Sequence, residues 1–276
     1  MKNKIENLKQ TLVKLAPQGI ALAFSGGVDS TLLLNMLSLI RTENPFPLHA
    51  LTIHSLFHKE EEKQETISIT SALDIPHYFF EANPLSNPKI RLNPLNRCYH
   101  CKKSMFSLLF KHAANHGLKT LLDGTNADDL KVYRPGKKAL NELGVLSPLA
   151  QCGLSKKEIR DYAAELNLSC SSKPAAPCLA TRFEYGVELK PDLIEMVKKG
   201  EKALREIFPD TSFRLRYHNK IARIEVPSAS LSLAVSKRES IIQKLKELGF
   251  NYITLDLEGF RSGSMDIHLD SKNNAV

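Results

Sequence analysis

The chain has 276 residues, enough for two modest domains with cores of their own, and its 42% hydrophobic and 25% charged content is that of an ordinary globular protein. A formal charge of +8 suits an anionic partner such as ATP, a phosphorylated metabolite or RNA, without choosing among them. Residues 1 to 14 are polar and lysine-bearing and no apolar run approaches the ~18 residues of a membrane span, so neither a signal peptide nor a membrane helix is expected and the cytoplasm is the expected compartment.

Ile5, Leu8, Leu12 and Leu15 recur at helical spacing over residues 4 to 16, and Pro17 and Gly19 end that helix. Ile20 to Phe24 then reads as a strand, Ser25-Gly26-Gly27-Val28-Asp29-Ser30-Thr31 as a glycine-rich turn, and Leu32 to Leu39 as a helix. A turn of this kind points backbone N–H groups outward at the positive end of a helix dipole, where an oxyanion of phosphate type can sit, and Ser25, Ser30 and Thr31 add hydroxyl donors. No lysine follows the glycines and the spacing is not G-x-G-x-x-G, so this is neither of the two common nucleotide loops. Pro47 to Ile53, Lys59 to Leu73 and His77 to Phe80 continue as strand, helix and strand, which makes βαβαβ and a parallel sheet. Ligands of such sheets bind beyond the carboxyl ends of the strands. The acidic run Glu60, Glu61, Glu62 reads as a solvated helix start.

Asn83 to Asn96 is proline-rich loop ahead of a helix from Cys98 to His116. Lys119 to Leu122 is a short strand feeding Asp123-Gly124-Thr125-Asn126-Ala127-Asp128-Asp129, again polar groups at a strand's carboxyl end. Tyr133-Arg134-Pro135-Gly136 and the lysines after it read as a basic loop, and Ser155 with Glu158 as a capping box. The proline-rich stretch from Lys173 to Arg182 closes the first domain, placed at 1–186. The remainder, 187–276, reads as a small α+β domain: a helix over Pro191 to Phe208, strands at Ser212 to His218 and Ile221 to Val226, an interrupted helix from Ser228 to Gly249, and a closing strand at Tyr252 to Leu257. The period of two sets Arg214, Arg216 and His218 on one face, three basic groups that either meet solvent or hold an anion, and puts Arg223 and Glu225 on one face of the next strand.

Five cysteines in a chain without an export signal argue against a disulfide framework and for thiol or metal chemistry. Cys98-x-x-Cys101 is compatible with a redox pair, half a zinc site or two ligands of an iron-sulfur cluster. A zinc site would want a second C-x-x-C or a compact histidine pair, and the scattered histidines are read as offering none at ligand spacing. Cys178, in a loop of small residues, is a natural third ligand if that loop folds back over the sheet's carboxyl edge, and three thiolates at a four-iron cluster would leave one iron open. Cys152 and Cys170 read as core or unremarkable surface residues.

The SGGxDS stretch resembles the signature of the PP-loop ATP pyrophosphatases, which implies an adenine nucleotide alpha hydrolase-like α/β fold and cleavage of ATP to AMP and pyrophosphate as a substrate is adenylated. With DGTNADD, YRPG, CLATR, RLRYHNKIARIE and GFRSG added, nearly the whole chain resembles the LarE family, ATP-dependent sulfur transferases that build the two thiocarboxylates of the nickel-pincer cofactor. That resemblance implies ATP and pyrophosphate binding by Ser25, Gly26, Gly27, Asp29, Ser30 and Thr31, with Asp29 and Asp128 or Asp129 supporting magnesium. It implies Tyr133, Arg134, Arg182, Arg214 and Arg216 for the anionic substrate, with Cys178, Asp29 and Arg182 closest to the chemistry; Thr181 stands where the family commonly has serine. The family has two styles of sulfur donor, one sacrificing a cysteine at the position of Cys178 and one holding a four-iron four-sulfur cluster with an extra sulfide. Cys98 and Cys101 stand where the second style has its pair, so the cluster form, with Cys178 as its third ligand, is expected. The substrate is then a small nucleotide-like molecule and neither nucleic acid nor membrane, and a homo-oligomer is the family's habit. The rival is a PP-loop tRNA thiolase with a three-cysteine cluster, which the charge would suit but which usually carries an added basic or zinc-ribbon module not found here.

Overall fold

The run Ile20–Ala23 is apolar at every position, the pattern of a strand covered on both faces, and it forms the inner strand β1 of a parallel sheet. The computed structural model describes residues 1–131, 135–174, 177–209, 211–261 and 264–265. Four strands, β1 (Ile20–Ala23), β2 (Leu48–His54), β3 (His77–Glu81) and β4 (Thr120–Leu122), lie in the order β3-β2-β1-β4, all parallel. The helices among and after them are α1 (Lys2–Leu15), α2 (Val28–Glu43), α3 (Glu60–Ala72), α4 (Pro88–Arg91), α5 (Arg97–Asn115), α6 (Ala127–Leu130), α7 (Pro135–Glu142), α8 (Pro148–Gln151) and α9 (Lys156–Glu165). Ile20, Leu22, Leu48 and Ala50 bury into one apolar layer with α1, α2 and α9, while Ala21, Leu51 and Leu121 bury into a second with α5 and α7. The pleat's period of two thus feeds both cores from the same strands.

The second sheet has β5 (Arg214–His218), β6 (Ile221–Glu225) and β7 (Tyr252–Leu255), with α10 (Pro191–Ile207), α11 (Leu231–Ser236) and α12 (Arg238–Glu247). β5 and β6 are antiparallel, joined at Asn219 and Lys220, both with positive φ as a tight hairpin of right-twisted strands requires; β6 and β7 are parallel.

The chain divides into two compact units, Met1–Ile90 with Leu95–Ala176, and Arg91–Pro94 with Pro177–Val276. The division falls ahead of the expected boundary at Gly186. Backbone bonds from Gly186 and Leu189 to the carbonyls of Asn93 and Arg91 draw the short piece 91–94 into the second unit. Two local expectations differ. The stretch after Pro135 is not loop but α7, because proline is pre-organised for a helix's first position and Ala139 and Leu140 give that helix a buried side. Within the loop 83–96, Pro88–Arg91 forms the turn α4 around the buried Ile90.

Candidate functional site

The glycine loop follows β1 and opens α2. Gly26 has φ +69°, and a Cβ there would lie 3.0 Å from Thr66 Cγ2, so glycine satisfies both backbone and space. Ser25 and Ser30 hold the loop from within: their hydroxyls stand 3.2 Å apart, and Ser30 Oγ donates to the Gly27 carbonyl at 3.1 Å. Gly27 is the N-cap of α2 and no side chain caps it. Thr31, 4% exposed, has a buried Oγ1 with no hydrogen-bond partner among the described residues. A buried hydroxyl without a partner costs about 1–3 kcal/mol, so this end of α2 is unfinished by the chain's own groups. Backbone N–H groups, the helix dipole and a spare hydroxyl together fit a phosphate oxyanion, and so fit the polyphosphate of ATP.

The loop after β4 closes against the same turn. A Cβ on Gly124 would stand 3.0 Å from the Ser30 nitrogen, so only glycine permits that approach. Asn126 Nδ2 donates to Asp29 Oδ1 at 3.2 Å, while its Oδ1 accepts from the backbone N–H groups of Asp128 and Asp129 as the cap of α6. One asparagine therefore ties Asp29 to the segment carrying both of the other expected carboxylates. Lys156 completes the tie, with Nζ 2.5 Å from Asp29 Oδ2 and its backbone N–H 2.8 Å from Asp128 Oδ2. The Lys131 ammonium beside Asp128, and then the Lys156 N–H, hold that carboxyl below its ordinary range. Buried Asp123 accepts 2.5 Å hydrogen bonds from Thr125 and Ser147, which fixes the base of this loop. Oxygen-rich carboxylates of this kind suit magnesium. Asn126 and Lys156 were not singled out from sequence; Lys156 follows directly on the recognised cap Ser155, and only the fold brings it to Asp29.

Cys98 and Cys101 lie in the first turn of α5, one exposed and one half-buried. At a separation of three they share a helix face. Arg97 Nη2 is 3.7 Å from Cys98 Sγ, and a guanidinium with a helix N-terminus favours a sulfur that carries negative charge, as a metal-bound thiolate does. The donor set fits the expected iron-sulfur ligation. Cys170 is buried in the sheet's core, and Cys152 packs at its edge, 3.9 Å from Thr11 Oγ1.

In the second unit Cys178 is half-buried and caps a short turn, Leu179–Arg182. Thr181 Oγ1 donates to the Cys178 carbonyl at 2.8 Å, so threonine supplies the same hydroxyl as the serine it replaces. Arg182, 2% exposed, pairs with buried Glu201 through Nε at 2.7 Å and Nη2 at 3.2 Å. Its Nη1 donates to the Pro177 carbonyl at 3.0 Å and to Thr181 Oγ1 at 2.9 Å. Arg182 thus braces the turn that presents Cys178. Arg216 is likewise buried, donating to Glu225 at 2.8 Å, Ser264 Oγ at 2.9 Å and the Thr181 carbonyl at 2.8 Å.

The basic face read from the alternation of β5 is therefore neither a solvated row nor a bare anion cradle. Glu225, fully buried, meets Arg216 and Arg223, Glu201 meets Arg182, and Glu184 meets His218. Glu201, on α10, was not foreseen, since only tertiary packing brings it to Arg182. Arg214 is pushed down to about 10 by burial, then by neighbouring Arg182 and Arg216, against the opposing pull of Glu201 and Glu225. Tyr133 and Arg134 lie outside the described residues.

Residues 1–131 match the PP-loop domain family. The chain is 38% identical over 251 residues to the pyridinium-3,5-bisthiocarboxylic acid mononucleotide synthase of Lactiplantibacillus plantarum, covering 90% of this chain and 89% of that one. The chain belongs to the LarE family of PP-loop sulfur transferases. Uncharacterised proteins of Synechocystis and Methanocaldococcus jannaschii are 35% and 33% identical to this LarE-family chain, over 96% and 93% of its length and 98% and 95% of theirs. A tRNA thiolase is not favoured. Among the described residues no helix is long and apolar enough to cross a membrane.

Proposed function

We propose that this LarE-family enzyme uses ATP to adenylate a carboxylate of pyridinium-3,5-biscarboxylic acid mononucleotide and then replaces AMP with sulfur, at each of two carboxylates, in the making of the nickel-pincer cofactor. In the first step a carboxylate oxygen bonds to the α-phosphorus of ATP as the bond to pyrophosphate breaks. In the second, sulfur bonds to the acyl carbon and AMP departs with that oxygen. The observation that carries the reading is the open first turn of α2, where the Thr31 hydroxyl is buried without a partner among the described residues, beneath an N-cap that no side chain fills.

Ser25, Gly26, Gly27, Ser30 and Thr31 would hold the phosphates, with backbone N–H groups aimed at charge that grows as pyrophosphate leaves. Asp29, with Asp128 or Asp129, would hold magnesium, which when bound neutralises the leaving group. Lys156 sets the position of Asp29 and adds a second cation beside it. Arg182, Arg214 and Arg216, with Tyr133 and Arg134, are assigned to the anionic substrate, in keeping with the family resemblance. Arg182 also keeps the Cys178 turn in shape.

Cys98, Cys101 and Cys178 are assigned to a four-iron four-sulfur cluster, supported by the paired thiols in the first turn of α5 and by a third on a braced turn. When bound, that cluster supplies a sulfide nucleophile at an iron without a protein ligand. We assign the enzyme to the cytoplasm as a homo-oligomer, in keeping with the family resemblance. The test is mass spectrometry of the product with iron and acid-labile sulfide counted per anaerobically reconstituted chain. Thiocarboxylate product, with about four iron and four sulfide per chain lost in each of Cys98→Ala, Cys101→Ala and Cys178→Ala, is expected. An iron-free chain whose Cys178 loses its sulfur during turnover would overturn the cluster assignment, and absence of thiocarboxylate would overturn the activity.

A further inference from the structure

Near the amino end of β2, on the face that α5 covers, three imidazoles meet. His49 is the second residue of β2, while His112 lies in the last turn of α5 and His116 is its C-cap. The spacing of four sets His112 and His116 on one helix face at the spacing of metal-binding helical pairs, a pair the sequence reading passed over. Their rings stack 4.0 Å apart. His49 Nδ1 is 3.1 Å from His112 Nε2, and one ligand nitrogen from each of the three residues lies within 4.8 Å of the others.

The shorter of these distances is close to that of a chelate. Two nitrogens each 2.0–2.1 Å from a tetrahedral zinc ion stand about 3.3 Å apart, and the His49–His112 pair is already there. His116 is exposed and completes the set, with its ligand nitrogen within 4.8 Å of the other two. Its Nδ1 lies 2.8 Å from the His112 carbonyl and donates to it, which leaves Nε2 as the lone-pair nitrogen. Anchoring one ring nitrogen on a backbone carbonyl is how ligating histidines are held. The site also sits at the negative end of a helix of 19 residues, where a cation is favoured. Tyr78, 4.4 Å from the His112 ring and 4.8 Å from the His49 ring by centroids, walls the cluster on one side, and solvent at His116 leaves a fourth position for water. Three imidazole nitrogens, with no carboxylate in the set, select borderline divalent ions such as zinc, nickel or copper over magnesium or calcium.

We propose that His49, His112 and His116 form a binding site for one divalent transition-metal ion, pinning the end of α5 to β2. The site is separate from the nucleotide loop and from the cysteine pair. Cys98 and His112 lie fourteen positions apart on α5, about 21 Å along its axis.

The test titrates zinc(II) into the untagged full chain against a competing chelator, with Cys98 and Cys101 replaced by serine so that thiolate-bound zinc does not count. Long-range nitrogen–proton spectra follow the imidazoles. One equivalent is expected to bind, with the signals of all three histidines moving and the melting temperature rising. His116→Ala, at an exposed position, is expected to leave the metal-free melting temperature unchanged and to weaken binding by at least the roughly ten- to hundredfold that loss of an outer partner costs at such sites. His112→Ala serves as the buried counterpart. Zinc that leaves these three imidazole signals in place, or binds His116→Ala as tightly as its parent, would show an aromatic packing cluster and overturn the proposal.

Discussion

The glycine loop of the first unit and the arginine region of the second both concentrate positive potential, and they treat it in opposite ways. At the loop, α2 begins without a side-chain cap and the Thr31 hydroxyl has no partner among the described residues, although α6 and α9 in the same unit carry complete capping boxes. In the second unit the buried guanidinium groups of Arg182 and Arg216 meet the buried carboxylates of Glu201 and Glu225. Other helices of the unit, α1, α3 and α5 among them, also begin without a side-chain cap; what sets α2 apart is the buried Thr31 hydroxyl, to which none of the described groups answers. Where the partners are carboxylates of the chain itself, the arginines first serve the fold, and recognition of substrate must use what donors and potential remain.

The contrast breaks most visibly at Glu225. Glu225→Ala would leave Arg216 and Arg223 without their shared carboxylate, and removing one member of a buried pair costs about 3–5 kcal/mol. Denaturant unfolding should register that loss, and a change within the error of the extrapolation would contradict the pairing. Asp29→Asn acts on the open region. ATP-dependent pyrophosphate release is expected to fall by about 10²–10³, the scale of losing one electrostatic stabiliser at a reacting centre, and an undiminished rate would remove Asp29 from the chemistry.

A pair of threonines sharpens the comparison. Thr31→Val removes a hydroxyl that serves no group of the chain, so stability should hold within about 0.5 kcal/mol while KM for ATP rises. Thr52→Val removes one that donates to the Phe24 carbonyl at 2.7 Å and meets His77 Nε2 at 2.7 Å, and should cost about 1–3 kcal/mol with KM unmoved. Equal stability losses in the two variants would erase the distinction between open and answered groups.

A further effect is in pH. Both ring nitrogens of His77 hold threonine hydroxyls, and burial lowers it from 6.5 to about 4. The unfolded chain therefore takes up a proton first, so this contribution to stability is complete above pH 6.5 and drains as the pH falls toward 4. Unfolding midpoints in His77→Gln should lack that slope between the two values.

The first sheet and the glycine loop could be read in the sequence because their signals are local: strands apolar at both parities, turns marked by Gly26 and Gly27, and the box at Ser155 and Glu158. The α7 helix was missed because Pro135-Gly136 reads as loop chemistry until Ala139 and Leu140 are seen to be buried. Alternation correctly set Arg214, Arg216 and His218 on one face, but what that face meets depends on Glu201, thirteen residues before Arg214 on another element. Lys156 and His49 failed for the same reason: each acquires its meaning from a partner, Asp29 or His112, that only the parallel sheet and its helices bring near. The spacing of His112 and His116 was visible, and its third member was not.

The most direct measurement of the central claim is the nucleotide balance of a single turnover. Wild-type enzyme with ATP, magnesium, sulfide and the pyridinium biscarboxylate mononucleotide should release one AMP and one pyrophosphate for each thiocarboxylate formed. ADP and inorganic phosphate in their place, or thiocarboxylate formed without pyrophosphate, would contradict adenylation at the glycine loop.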